Sequence, residues 1–270
     1  MTGVQLLEKL SKRERIYGTL ITSTSPAWIR RFKSIGLDFV FIDTEHTPMD
    51  RSMLALYCNV YKALDIAPMT RIPTPSPYDA CIALDAGSNG ILGPYIEDVE
   101  QVLQLVGAVK YRPLKGKRLQ DVLHEEVVLS DIENDFFSKY NEGNFLFVNI
   151  ESVTAMNNLD EILKVKGLDG IVIGPQDLSI NLGVPEMYDS KEFLEAVDYI
   201  IAKAKEHNKS VGNHFSAGIE FGLRWAQNGM NIILHTQDQV VFANNIRAEL
   251  NQFRALLGDP LIDNNGNQII

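Results

Sequence analysis

Short apolar segments alternate with longer segments of helical periodicity along most of the chain. The short segments are typical of buried parallel strands, and eight are predicted: Gly18–Thr22, Asp38–Asp43, Ala67–Ile72, Gly90–Gly93, Phe145–Ile150, Gly170–Ile173, Ser210–His214 and Asn231–His235. Helices are predicted between and after them at Ala27–Ser34, Arg51–Leu64, Tyr78–Leu84, Val99–Val109, Leu159–Val165, Lys191–His207, Ile219–Asn228 and Val240–Leu257. This alternation predicts an α/β fold, a (β/α)8 TIM barrel formed by residues 1–270 as one domain.

One segment interrupts this regular alternation. Residues 111–144 are too many for a simple loop between a helix and the next strand. The segment begins with basic residues and continues with an acidic part of helical character. Three interpretations remain open from the sequence: a lid, an interface arm or a solvated insertion.

Composition excludes several classes of protein. The chain has 270 residues and a formal net charge of −10, which argues against a nucleic-acid partner. No apolar run of 18 residues occurs and the first 20 residues lack the apolar core of a signal peptide, so no membrane partner is expected. Cys58 and Cys81 lack metal-site spacing and are predicted to be free thiols. A cytoplasmic location is the resulting prediction.

Polar residues follow the predicted strands at the point where each strand ends. Catalytic groups of a (β/α)8 barrel lie on the loops after the C-terminal ends of the strands. The candidates at these positions are Asp43, Glu45, His46, Arg71, Asn149, Glu151, Gln176, Asp177, Asn213, His214, His235, Thr236 and Asp238. We therefore expect them to face one active-site rim.

Glu151 and Asp177 are the strongest candidates for metal ligands. Two carboxylates on neighbouring strand ends suit a hard or borderline divalent ion such as Mg²⁺ or Mn²⁺. The alternative is that Glu151 makes a local salt bridge or cap and that Asp177 only begins a helix. The Gly-Pro turn at Gly174 opens a short helix whose backbone N–H groups suit a carboxylate or phosphate.

Arg71 and His46 each have a catalytic and a structural interpretation. Arg71 could stabilise an oxyanion, or it could form an internal ion pair with Asp43 or Glu45. His46 could act as a general base near neutral pH, or it could make only a structural hydrogen bond. The predicted strands contain no lysine for a Schiff base, and the chain has no GxGxxG or GxxxxGK[ST] motif for a nucleotide.

The motifs at the strand ends resemble a known family. The stretches "LDFVFIDTEHTPMD", "TRIP", "ALDAGSNGILGPYIEDVEQ" and "VNIESVTAMNNLDEILKVKGLDGIVIGPQDLSINLG" are similar to the HpcH/HpaI aldolase family of class II pyruvate-dependent aldolases. The resemblance runs from about Gly18 to Leu257. It implies a barrel whose C-terminal helix is exchanged between subunits, a homo-oligomer (a hexamer built as a trimer of dimers), and a carbon–carbon lyase that acts through a pyruvate enolate.

The resemblance also implies roles for particular residues. Glu151 and Asp177 would bind the divalent ion, Mg²⁺ or Mn²⁺ with Co²⁺ as a further option, and Arg71 would stabilise the enolate oxygen. His46 would be the base, with Asp43 nearby and Asp85 raising its basicity. Asp85 ends a predicted helix, so it would reach a site only across a subunit contact. The residues that would line the substrate site are Asn149, Gly174, Gln176, Asp177, His214 and His235.

Departures from the family's pattern concern the acceptor side. Asn149 replaces a glutamine, Gln176 replaces a small residue, and "VGNHFSAG", His235 and Thr236 replace apolar residues. They suggest that the acceptor, which is the aldehyde or keto acid that reacts with pyruvate, is polar and either carboxylated or sugar-like. The alternatives are a condensing enzyme of secondary metabolism with a citrate-like or phosphonate-type product, and a non-catalytic barrel subunit.

Overall fold

Eight parallel strands form a closed barrel in the order of the chain, and β8 pairs with β1. The computed structural model describes residues 1–215, 218–265 and 268–269. The barrel strands are β1 (Ile16–Ile21), β2 (Phe39–Asp43), β3 (Ala67–Arg71), β4 (Gly90–Gly93), β5 (Phe145–Ile150), β6 (Gly170–Ile173), β7 (Ser210–Phe215) and β8 (Ile232–Gln237). The predicted TIM barrel is confirmed, and each predicted strand is present with its ends shifted by two residues or fewer.

Helices follow the strands as predicted, and several shorter helices lie outside the simple alternation. The helices are α1 (Gly3–Ser11), α2 (Pro26–Phe32), α3 (Arg51–Ala63), α4 (Pro77–Asp85), α5 (Val99–Lys110), α6 (Gly116–Leu123), α7 (Asp131–Tyr140), α8 (Val153–Asn157), α9 (Leu159–Lys164), α10 (Pro175–Asn181), α11 (Lys191–Glu206), α12 (Ile219–Asn228) and α13 (Asp238–Leu257). Two short strands, β9 (Leu261–Ile262) and β10 (Gln268–Ile269), pair after α13.

The strands pack against two separate apolar cores. Side chains of alternate strand residues, among them Phe39, Phe41, Phe147 and Leu234, fill the inside of the barrel. Their neighbours in sequence pack outward against the helices. Because side chains alternate along a regular strand, the residue two places beyond the last inward apolar residue also points inward, at the rim, unless a bulge intervenes.

The long insertion forms two helices, α6 and α7. Leu119 and Leu123 of α6 pack beside Gly107 of α5, where an added Cβ would contact both leucines at 3.1 Å. Asn141, after α7, donates hydrogen bonds to the carbonyls of Lys110 and Arg112. None of the described residues of this segment lines the rim pocket, so this chain alone gives no support to the lid interpretation.

The face of the barrel formed by β8 and β1 differs from the rest because α13 does not cover it closely. Tyr17 on β1 is 49% exposed, and two grooves of about 630 and 530 Å³ run along this face between α12 and α2. Helix α13 leaves several large apolar side chains exposed: Phe242, Ile246, Leu250, Phe253, Leu256 and Leu257. Among the described residues, no helix is both long and apolar enough to cross a membrane.

Candidate active site

A pocket of about 580 Å³ opens at the C-terminal rim of the barrel. Most of its walls come from inward-facing strand residues and the residues just beyond them. The polar lining residues are Thr22, Asp43, His46, Thr47, Arg71, Asn149, Glu151, Gln176, Asp177, Tyr188, His214 and Gln237, and Gly174 lies among them. The structure therefore brings together, within one chain, every residue with a predicted role in the site except Asp85 and His235. Three further strand-end candidates do not face this rim, because the outer grooves are lined by Asn213, Thr236 and Asp238.

Asp43 and Arg71 form a buried two-bond ion pair at the ends of β2 and β3. Arg71 Nε donates to Asp43 Oδ1 at 2.9 Å, and Arg71 Nη2 donates to Asp43 Oδ2 at 2.6 Å. Arg71 Nε also lies 3.0 Å from an oxygen of Glu45. Burial alone would raise the pKa of Asp43, but the bonds from Arg71 outweigh it and hold this pKa below its usual value. The internal ion pair that was one interpretation of Arg71 is thus present in the structure. Arg71 nevertheless also lines the pocket.

Glu45 connects this ion pair to His46 and to Tyr95. His46 Nε2 lies 3.7 Å from Glu45 Oε2, and the His46 side chain is 63% exposed. The phenol of Tyr95 donates a hydrogen bond to Glu45, which is the main cause of the raised pKa of Tyr95. In this chain the carboxylate beside His46 is that of Glu45.

Glu151 is buried, and each of its oxygens accepts one hydrogen bond. The backbone N–H of Tyr95 donates to Oε1 at 2.8 Å, and Asn149 Nδ2 donates to Oε2 at 2.7 Å. Burial raises the pKa of Glu151, and the carboxylates of Asp177 and Glu45 add to the rise. No arginine or lysine side chain among the described residues makes an ion pair with Glu151 or Asp177 within 4.0 Å.

The Glu151 carboxylate lies tightly against Gly174. A Cβ added at Gly174 would overlap Oε2 of Glu151, so only glycine leaves room for this carboxylate. The Oδ1 atom of Asn149 is buried and has no hydrogen-bond partner. Two carboxylates and a partnerless amide oxygen are oxygen donors of the type that Mg²⁺ and Mn²⁺ prefer, so the residues fit a divalent ion.

Gln176 and Asp177 lie in the first turn of α10, beside this carboxylate. Gln176 is exposed and donates from Nε2 to Glu186 at 3.2 Å. Asp177 is partly buried, and Asn181 donates to its backbone carbonyl at 3.1 Å. Both residues border the pocket at the β6 end.

His214 points into the pocket from β7, and His235 points out of the barrel from β8. The ring of His214 meets that of Phe41 edge-on, with centroids 5.5 Å apart. His235 is exposed and lines the two grooves on the outer β8–β1 face. The reason is the alternation in β8: Ile232 and Leu234 point inward, so His235 points outward.

A bulge in β8 then restores an inward position. Gly18 pairs with Leu234 and Leu20 pairs with Gln237, so Thr19 alone is opposite both His235 and Thr236. Thr236 has a positive φ of 47° and lines the outer groove. As a result Gln237, two places beyond His235, lines the pocket.

Asp85 is the second predicted site residue that lies away from the pocket. It ends α4, its side chain is 70% exposed, and it forms an ion pair with Arg112. Its predicted role therefore needs a site on another copy of the chain, as the sequence already indicated.

Sequence reasoning missed Tyr95 and four of the polar residues that line the pocket: Thr22, Thr47, Tyr188 and Gln237. Tyr95 has a positive φ of 53°, an uncommon conformation for a residue other than glycine. Its contact with Glu151 is made by the backbone, which no side-chain pattern can reveal. Thr22 was predictable, because it stands two places after the inward residue Leu20.

A second cluster of possible metal ligands lies outside the pocket. Asp160, Glu206 and His207 bring ligand atoms within 4.8 Å of one another, and none of the three lines the rim pocket. The ammonium group of Lys203 already lies 3.0 Å from Asp160 and 3.2 Å from Glu206. This cluster therefore has its own cation.

The family assignment rests on residues 17–244, which match the HpcH/HpaI aldolase/citrate lyase family. The chain belongs to this family. The assignment suggested by the strand-end motifs is confirmed, and with it the prediction of a carbon–carbon lyase, because its relatives are named aldolases. The family is generally dependent on a divalent metal ion.

Two curated relatives illustrate the similarity. A 5-keto-4-deoxy-D-glucarate aldolase of Klebsiella pneumoniae subsp. pneumoniae is 33% identical over 177 residues, 66% of this chain and 68% of the relative. A 2-keto-3-deoxy-L-rhamnonate aldolase of Escherichia coli is 28% identical over 260 residues, 94% of this chain and 95% of the relative.

A solved structure supports the predicted alternative as well. The citrate synthase SbnG has a TM-score of 0.80 and 26% identity, and the alignment covers 94% of this chain and 99% of that one. This chain is therefore similar both to aldolases and to a condensing enzyme, which are the two reactions predicted from the sequence.

Proposed function

We propose that this protein is a metal-dependent aldolase that makes or breaks a carbon–carbon bond through the enolate of pyruvate. The observation that carries the proposal is the pair Glu151 and Asp177. Both border the pocket, and neither makes an ion pair with an arginine or lysine side chain among the described residues. In the cleavage direction, the substrates of the enzyme would be 4-hydroxy-2-oxo acids.

Glu151 and Asp177 would hold a divalent ion, Mg²⁺ or Mn²⁺ or alternatively Co²⁺. When bound, such an ion supplies Lewis-acid polarisation of an α-keto group. Asn149 would fix Glu151 through its Nδ2 hydrogen bond, and its partnerless Oδ1 would remain for substrate or water. Gly174 lines the pocket, but its N–H donates to the carbonyl of Ile150 at 3.3 Å, so the backbone N–H groups of Gln176 and Asp177 in the first turn of α10 would receive the carboxylate of pyruvate.

Arg71 would stabilise the oxygen on which negative charge develops in the enolate. Its guanidinium is held by Asp43 and stacks over the ring of Phe41 at 5.3 Å, so its position is fixed before substrate binds. A fixed donor needs no reorganisation when the charge appears, which is why preorganised groups stabilise transition states well.

His46 would act as the base that takes the proton from the 4-hydroxyl group during cleavage. It lines the pocket and its ring is accessible. Glu45 Oε2 lies 3.7 Å from Nε2 and is the carboxylate placed to orient the ring. Asp85 of a second subunit remains a further candidate for this supporting role.

Helix α13 supports a proposal about assembly. Its exposed apolar residues and the apolar grooves on β8–β1 would both be buried if two copies exchanged this helix. We propose a homo-oligomer of this kind, a hexamer made of three dimers. Light scattering should report a single oligomer for the wild type and smaller species for Leu256→Glu, whereas Gln252→Glu on the same helix should change nothing.

The condensing reaction is the second candidate, favoured by the similarity to the citrate synthase SbnG. It shares the enolate step and differs in the electrophile, so product analysis with an aldehyde and with a keto acid separates the two. A non-catalytic barrel subunit would lack the enolate step altogether.

The decisive experiment follows the methyl protons of pyruvate by NMR in D₂O. With Mg²⁺ or Mn²⁺ the signal should disappear through exchange, and a chelator should prevent the loss. If no metal gives exchange, pyruvate is not the donor and the proposed function is wrong.

A further inference from the structure

We infer that the acceptor end of the pocket recognises a hydroxyl group, and that His214 is the residue that receives its hydrogen bond. The acceptor would be an uncharged hydroxyaldehyde. This inference rests on the proposed function, since it names the class of the second substrate at the same pocket.

The position of His214 supports this role. It lines the pocket from β7, and Phe41 packs edge-on against its ring. Phe41 also lies beneath the guanidinium of Arg71, so the enolate-stabilising group and the His214 ring flank the same aromatic side chain. The Nε2 atom of His214 is buried and has no hydrogen-bond partner. A buried ring nitrogen without a partner costs free energy unless a ligand supplies the bond.

The protonation state of His214 decides which kind of partner it needs. Burial, with Arg71 nearby, lowers the pKa of His214 to about 4, so the ring is neutral at pH 7. One ring N–H bonds to the backbone carbonyl of Thr236. Since Nε2 is the nitrogen without a partner, we assign the proton to Nδ1. Nε2 is then a hydrogen-bond acceptor, which a substrate hydroxyl can satisfy and a carboxylate cannot.

The charges of the pocket agree with an uncharged acceptor. Arg71 is the one arginine or lysine among the residues that line the pocket in the described chain. Asp43 and Glu45 already engage it, and the carboxylate of pyruvate would add a further negative charge. A second carboxylate on the acceptor would meet no free cation here, whereas the amide of Gln237, which lines the same pocket, offers neutral hydrogen-bonding groups.

The test uses three two-carbon aldehydes that differ at one substituent: acetaldehyde, glycolaldehyde and glyoxylate. Condensation of each with pyruvate gives a kcat/KM, and its ratio to the acetaldehyde value is compared between wild type and His214→Phe. Phenylalanine keeps the contact with Phe41 and removes the nitrogen. Comparing ratios between two enzymes cancels the intrinsic reactivity of each aldehyde.

The glycolaldehyde ratio should fall about tenfold in His214→Phe, the value expected for one lost hydrogen bond to a buried partner. The glyoxylate ratio should stay the same. Circular dichroism shows whether the variant folds, and the rate of pyruvate methyl-proton exchange is measured beside each ratio, so that a loss of the enolate step is separated from a loss of acceptor recognition. His214→Gln, which keeps an acceptor, should recover part of the ratio, and His124→Phe, at the residue that follows α6, should leave it unchanged.

Three results would overturn the inference. An unchanged glycolaldehyde ratio in His214→Phe, with proton exchange intact, would remove His214 from acceptor recognition. A fall in the glyoxylate ratio alone would mean that the pocket reads a carboxylate. Absence of proton exchange in the wild type would instead overturn the proposed function, and the inference with it.

Discussion

Two groups of carboxylates face the same pocket, and they are neutralised in different ways. Asp43 has its cation inside the chain, since Arg71 holds it with two hydrogen bonds and lowers its pKa. Glu151 has only neutral donors, and burial together with neighbouring carboxylates raises its pKa. The negative charge on the β2–β3 side of the pocket is therefore balanced within the chain. The β5–β6 side lacks positive charge, which a metal ion would supply.

Replacing Glu151 tests the β5–β6 side and should have the largest effect. Glu151→Gln should reduce metal-dependent proton exchange of pyruvate about a thousandfold, because a Lewis acid contributes several kcal/mol to stabilising developing charge. The metal-free variant should be as stable as the wild type within about 1 kcal/mol, since no internal ion pair is lost. Exchange by NMR and urea unfolding with a chelator measure the two quantities, and Glu195→Gln on the exposed part of α11 is the control.

Replacing Asp43 should, unlike replacing Glu151, reduce the stability of the protein. Asp43→Asn leaves Arg71 with a weaker set of partners in a buried place, so the free energy of unfolding should fall by about 3 kcal/mol with or without metal. A variant that keeps wild-type stability while losing exchange would show that the two sides of the pocket do not differ in this way.

The same pair predicts a dependence on pH. The pKa of Asp43 is lower in the folded chain than in the unfolded one, so its stabilisation is complete above the unfolded value of about 3.9. It is lost as the pH falls through the lower folded value. The stability gap between wild type and Asp43→Asn should therefore stay constant from pH 7 to about pH 5 and shrink below about pH 4, as measured by urea unfolding in the presence of a chelator.

Gly174 offers a subtler change on the metal side. In Gly174→Ala the new methyl group would overlap Oε2 of Glu151, so the carboxylate has to move. We expect exchange to fall about a hundredfold, because small displacements of catalytic groups cost about that much. Gly222→Ala, at a helical position with no atom within 4 Å of the added Cβ, is the matched control and should keep full exchange. Equal rates in the two variants would contradict the tight fit at Glu151.

Alternation along the strands made much of this site predictable. Four pocket residues stand two places after an inward-facing strand position: Asp43, Arg71, Asn149 and His214. The barrel prediction alone therefore places them at one rim. The same rule excludes His235, because Leu234 before it faces inward. A local bulge, invisible in the sequence, then brings Gln237 into the pocket.

Two kinds of feature could not be predicted. The ion pair between Arg71 and Asp43 depends on the distance between two strand ends, which a sequence does not show. The sequence therefore allowed both an ion pair and a catalytic role for Arg71. The contact of Tyr95 with Glu151 uses a backbone N–H in a left-handed conformation, which no residue pattern signals. Contacts that the backbone makes in irregular turns are set by the whole fold.

Tyr95 joins the two sides of the pocket, so its phenol gives the smallest and most selective test of the comparison. Tyr95→Phe keeps the backbone N–H that bonds Glu151 and removes only the hydrogen bond to Glu45. Metal affinity, measured by titration calorimetry with Mn²⁺, should be unchanged. Proton exchange should fall only about threefold, the size expected for one partly exposed hydrogen bond. A large loss of metal affinity would show that the phenol, and not the backbone, holds the β5–β6 side in place, and that the two sides are not separately built.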